Sequence, residues 1–189
     1  MVQTCKYFYI KIGALILSSL RYTRLDKWQI FFANKSIEIS DIPTKLWITD
    51  IFDFSLISSI NTNLVSSIIP KFYRFEAKEV NIWDQNISFK EFCFLSLKVE
   101  TILFRRVTVK HEDDAIVAFE KLVENLAKQN KQTSFWLHFH HSISAAYKNR
   151  LEAIIDEIIE TKKHDFKVPF LGFIGFEEQK LLKLRRLHC

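Results

Sequence analysis

Between Ala77 and Lys128 the apolar positions change period several times. Residues 79–83 (EVNIW) alternate as a half-buried strand does, and 89–97 then gather their apolar residues at helical spacing. Residues 99–104 (VETILF) read as a second strand, and Phe119, Leu122, Val123 and Leu126 return to helical spacing. The same strand-then-helix unit precedes and follows this stretch. Residues 46–51 (LWITDI) predict a strand, and 54–69 a helix ended by Pro70. Residues 135–139 (FWLHF) predict a strand, 145–161 an amphipathic helix, 168–174 a strand and 177–187 a last helix.

Local chemistry supports these boundaries. Ser88 and Glu91 have the spacing of a capping box, and Ser144 is placed to cap the helix from 145. Pro169 fits a strand only at a sheet edge or at the strand's start. In the last helix acids come first and Lys183, Arg185 and Arg186 come last, as the macrodipole favours. Upstream, 10–20 is an apolar run too short to span a bilayer, which needs about 20 residues. With Lys6 ahead of it the run outlines a crude signal peptide, but no cleavage-type site follows, and a buried helix or strand is the expectation. Ile37-Glu38-Ile39 suits a short strand.

The strand centres chosen from this pattern, Ile48, Ile82, Leu103, Leu137 and Leu171, are spaced by 34, 21, 34 and 34 residues. Parallel strands need a crossover, which the helices supply. The expected fold class is α/β: an irregular leucine-rich-repeat-like array, with a mostly parallel curved sheet and helices on its outer face. Residues 1–43 are expected to be a helical or irregular segment packed on or preceding the repeats, and 44–189 the repeat-like domain. A compact α/β sandwich is the competing architecture, because the spacing is irregular.

Composition narrows the function classes. Nearly half of the 189 residues are hydrophobic and 18 are Phe, too apolar for a disordered chain. With only 3 Gly, there is no Gly-rich phosphate loop, no dinucleotide fingerprint and no G-x-S-x-G elbow. The formal charge of +5 comes from closely mixed acids and bases, so the long-range field is modest. Cys5, Cys93 and Cys189 lie far apart and form no pairing framework, which favours a reducing, intracellular compartment, cytoplasmic or nuclear. Cys93, between Phe92 and Phe94, reads as an inert buried thiol.

The runs at 38–51, 86–96, 107–126 and 142–165 resemble the nematode F-box-associated proteins, in packing pattern rather than in any catalytic motif. The resemblance covers most of the chain from about Lys6 onward. It implies an irregular leucine-rich-repeat-like C-terminal domain that selects targets for Skp–cullin ubiquitin ligases. Residues 1–45 carry no Leu-Pro-x-Glu-like F-box signature, so the chain is expected to be a shortened paralogue and a Skp-type adaptor is not a firm partner. The family's pattern fixes no functional residue to carry over.

No enzyme, cofactor or metal is expected. His138 and His140 would share a strand face with Trp136, but no third ligand stands at recognisable spacing. If Ile48, Ile82, Leu103 and Leu137 point inward, their strand neighbours Trp47, Thr49, Asn81, Trp83, Trp136 and His138 point outward. Three outward tryptophans are candidate hot spots for an unknown protein target, or a second core covered by a helix or the N-terminal segment. The alternatives are RNA or single-strand binding through the same face with Arg105 and Arg106, or a degenerate paralogue without activity.

Overall fold

The structure is a computed structural model that describes residues 13–23, 27–32, 35–39, 42–55, 61–129, 133–138, 144–165, 167–172 and 176–188. Expectations for 1–12, for 56–60 of the predicted helix, for His140 and His141, and for Cys5 and Cys189 lie outside those residues.

One long strand, β4 (Lys45–Phe54), joins the two parts of the main sheet. Along one side its first half pairs with β5 (Phe72–Phe75) and its second half with β6 (Glu79–Trp83), both in parallel. Along the other side it pairs in parallel with β1 (Ala14–Thr23). From β6 the sheet continues in parallel through β8 (Thr101–Arg105), β10 (Ser134–His138) and β11 (Phe170–Gly172). From β1 it continues antiparallel through β2 (Lys27–Phe32) and β3 (Lys35–Glu38). Among the described residues this is a nine-stranded, mostly parallel mixed sheet in which β4, β6, β8, β10 and β11 follow one another in chain order, with β5 off that path beside β4.

The crossovers carry the helices. They are α1 (Leu64–Ile68) before β6, α2 (Phe89–Ser96) before β8, α3 (Phe119–Gln129) before β10 and α4 (Ala145–Glu160) before β11. The last, α5 (Glu178–His188), packs on β11 and α4 and covers that end of the sheet, where an open edge would otherwise invite pairing. Pro169 falls just before the edge strand, where its missing N–H does least harm.

Alternation decides which sheet face meets the helices. Val80, Ile82, Ile102, Phe104, Phe135 and Leu137 are buried on one face, and Phe92 of α2 packs its ring against Phe104 and Phe135 at 6.1 and 6.3 Å. Phe119 and Leu122 of α3, Leu151 and Ile155 of α4, and Leu184 of α5 join the same core. Ser88 caps α2 with both halves of the capping box in place, worth about 1 kcal/mol of helix stability.

Three expectations need correcting. Among the described residues the N-terminal part is built of strands rather than a helical or irregular segment: Ala14–Thr23, Lys27–Phe32 and Lys35–Glu38 form β1, β2 and β3, and β1 is bonded directly into the sheet that the rest of the chain builds. The helix expected over 54–69 is reduced to Leu64–Ile68 among the described residues, because Phe54 completes β4. Leu103 does not point inward. It pairs with Asn81 and Trp136 on the other face, and its neighbours Ile102 and Phe104 take the core.

A duplicated corner follows β6 and β8. After each strand one residue enters the left-handed region, Asp84 at φ 53° and Arg106 at φ 55°. The chain then runs into β7 (Asn86–Ser88) and β9 (Thr108–Lys110), which pair in parallel as a second, small sheet. Asp84 N–H donates to Arg105 O at 2.9 Å and Arg106 N–H to His138 O at 2.7 Å, so each corner is tied to the end of the next strand. The Arg106 guanidinium forks onto the Asp84 carboxylate between the two corners. That paired fork helps offset the roughly 1–2 kcal/mol that a non-glycine residue incurs in this backbone region.

Candidate functional site: the sheet face away from the helices

The face opposite the helices is formed by the alternate residues of β4, β6, β8, β10 and β11. Two rungs cross it. Asn81, Leu103, Trp136 and Phe170 stand side by side in register, and Trp83, Arg105, His138 and Gly172 form the rung two residues further along. Neighbouring strands lie about 4.8 Å apart, so Trp83 and His138 are separated by about 10 Å with Arg105 between them.

The structure brings four of the six sequence-derived candidates, Asn81, Trp83, Trp136 and His138, into these two rungs. Trp47 and Thr49 stand apart on the first half of β4, next to β5 and β1. Thr49 spends its hydroxyl on Leu17 O at 3.1 Å. Trp47, Trp83 and Trp136 are half-buried, and His138 is exposed. Leu103 and Phe170 share the face and were missed by sequence reasoning, which placed Arg105 there only as a nucleic-acid contact. The signal was parity: once Ile82 is paired with Phe104, every odd-numbered residue of β8 turns outward.

Each tryptophan is held differently. Trp47 donates from Nε1 to Glu76 Oε2 at 3.0 Å, with the Arg74 guanidinium 4.6 Å above its ring. Glu76 also takes Lys98 and Arg74. The Lys98 hydrogen bond, with help from Arg74 and against the opposing effect of burial, holds the Glu76 carboxyl below its usual range. Trp136 packs against Phe170 at 4.6 Å and His188 at 4.4 Å and donates to Ser134 Oγ at 3.2 Å. Trp83 lies under the Arg105 guanidinium, 4.8 Å from ring centroid to charge.

Polar atoms on this face remain unmatched. Trp83 Nε1, Arg105 Nε and Asp53 Oδ1 are shielded from solvent without a hydrogen-bond partner. Native proteins leave few such groups, because each lost bond costs about 1–3 kcal/mol. His138 is pushed toward its neutral form by burial first, then by the charges of Arg105 and Arg106. A neutral imidazole there can both donate and accept.

Other chemistry is sparse. Among the described residues no three His, Cys, Asp or Glu side chains are grouped to hold a metal ion. Burial raises the Cys93 thiol above its ordinary pKa, so the protonated thiol dominates at neutral pH. An apolar cavity of about 600 Å³ lies between β9 and the starts of α3 and α4, walled by Phe104, Phe119, Leu137 and Tyr147. Its two arginines are already engaged, Arg106 with Asp84 and Arg150 with Glu120. Among the described residues no helix is long and apolar enough to cross a membrane.

The fold and this face define an α/β protein with a mostly parallel mixed sheet, helices packed on one face and a half-buried aromatic face opposite, reached at Trp136 and Phe170 by the end of α5. No protein-family model matches the chain, and no curated protein or solved structure does so either.

Proposed function

We propose that the chain is a docking scaffold rather than an enzyme, an irregular leucine-rich-repeat-like array whose half-buried aromatic sheet face takes a segment of a partner protein. The observation that carries this reading is the pair of rungs Asn81–Leu103–Trp136–Phe170 and Trp83–Arg105–His138, half-buried aromatics with unmatched polar atoms among them. Aromatic and arginine side chains in such surroundings supply most of the energy at protein interfaces. The strand-by-strand order of the sheet and the repeated corner at Asp84 and Arg106 support the repeat-like description. The resemblance to nematode F-box-associated proteins supports target selection as the role, with the Skp adaptor as the uncertain part of it.

Affinity capture from native lysate tests the proposal. Trp83→Ala should weaken retention of the specific partner roughly 30-fold, the scale of an interface hot spot. Ala153→Glu on the exposed surface of α4 should leave retention unchanged. Equal retention by the Trp83 variant, with its melting temperature preserved, would overturn the docking face. Adding the Skp adaptor separates the ligase role: its retention supports that role, and its failure removes the role without touching the face.

A further inference from the structure

Arg105 is the informative residue on this face. Its guanidinium carbon lies over the Trp83 ring, 4.8 Å from the centroid, a cation–π contact that does not by itself use up its N–H groups. Its Nε is shielded from solvent and finds no partner, and no ion pair joins Arg105 to a carboxylate among the described residues. Its chain neighbour Arg106, by contrast, is forked to Asp84. The lateral neighbours of Arg105 are Trp83 and His138, so neither contributes a negative charge.

We infer that the partner segment presents an aspartate or glutamate whose carboxylate seats on the guanidinium of Arg105, with an adjoining apolar residue against Leu103 and Trp136. The inference rests on the docking reading above and adds the chemistry of what docks. A carboxylate fits the planar fork in two places at once, and the contact with Trp83 restrains the side chain before the partner arrives. His138, held toward its neutral form, offers a hydrogen bond rather than a second charge. The site therefore matches one negative charge, not a run of them. Asp53 and Glu79 stand on the same face and oppose a run of phosphates more than a single carboxylate held at Arg105, which favours a peptide with one acidic residue over RNA.

Selection of a random heptapeptide phage library on the full chain tests this. The recovered peptides should be enriched in aspartate or glutamate next to an aliphatic or aromatic residue, and a synthetic copy should bind Arg105→Gln about tenfold or more weakly than the parent. Arg105→Lys should recover only part of the loss, since it restores the charge without the fork. Three results would overturn the inference: peptides without acidic enrichment, acidic peptides that bind Arg105→Gln equally well, or salt-sensitive binding of a single-stranded oligouridine tighter than any peptide. Its failure is separable from that of the docking reading. Non-acidic peptides that are lost with Trp83→Ala would remove the carboxylate and keep the face. Peptides indifferent to Trp83→Ala would remove both.

Discussion

Phe52→Ala lowers the stability of the chain by about 3–5 kcal/mol, the range for truncating a buried aromatic. For a chain of this size the melting temperature falls on the order of 10 °C. Phe52 is fully buried on β4, the strand that bonds to β1 on one side and to β5 and β6 on the other. Its ring stacks on Trp28 of β2 at 5.4 Å and meets Phe72 and Phe75 of β5 edge-on at 5.7 and 5.6 Å. The antiparallel end of the sheet and its parallel body thus share this one ring. Its removal leaves a cavity between two relatively stiff elements, which cannot close by moving one side chain. Phe52→Leu retains part of the volume and should cost less than half as much. Thermal unfolding measures both. A Phe52→Ala midpoint within about 2 °C of the parent, under 1 kcal/mol on the same scale, would mean that the two parts do not share a core there.

His188→Ala is expected to cost about 3 kcal/mol, because it strands two buried hydrogen-bonding groups and removes a ring contact. His188 is 3% exposed. Its Nδ1 lies 2.6 Å from Val168 O, which can only accept, so Nδ1 carries the proton and Nε2 accepts from the Ser134 hydroxyl at 2.8 Å. Trp136 Nε1–H in turn donates to that hydroxyl. The chain of bonds fastens the end of α5 to the starts of β10 and β11. Amides of α5 should lose hydrogen-exchange protection first in the variant, before those of β6 and β8.

The same histidine gives the fold an acid-side weakness. Burial depresses its pKa, outweighing the Val168 carbonyl that favours the charged form, and Lys167 adds to the depression. The unfolded chain therefore takes up the proton more readily than the folded one. Stability is fully present above the ordinary histidine value of about 6.5, falls as pH drops through it, and levels off below the folded pKa. His138 is shifted in the same direction and adds to the slope. His188→Ala should flatten the dependence as well as lower the curve. An unchanged slope in the variant would assign the effect to other groups.

Much of this architecture was legible from residue order, for physical reasons that differ between elements. Glu79–Trp83 alternates cleanly because one side packs on helices and the other does not, so its faces follow from period alone. Ser88 with Glu91, and Ser144, mark their helices because the caps are local interactions. Thr101–Arg105 defeated the same rule. Ile102, Leu103 and Phe104 are all apolar, so parity is undefined until pairing with β6 sets it. That one-residue slip kept Arg105 out of the protein-contact set and left it only as a nucleic-acid contact. β2 was unreadable for another reason: Trp28 and Ile30 are buried by partners distant in sequence, among them Phe52 and Phe54. β7 and β9 are three residues each, too short for any period, yet the matched ten-residue stretches EVNIWDQNIS and TILFRRVTVK carry the repeated corner in plain view.

The docking face is tested most directly by photocrosslinking from single positions in native lysate. A p-benzoylphenylalanine placed at Leu103 lies on the aromatic face, whereas one at Ala153 lies on the exposed surface of α4. A specific partner should crosslink from 103, not from 153, and the crosslink should fade in Trp83→Ala. Crosslinks that form from 153 and spare 103 would place the partner on the helices and contradict the account.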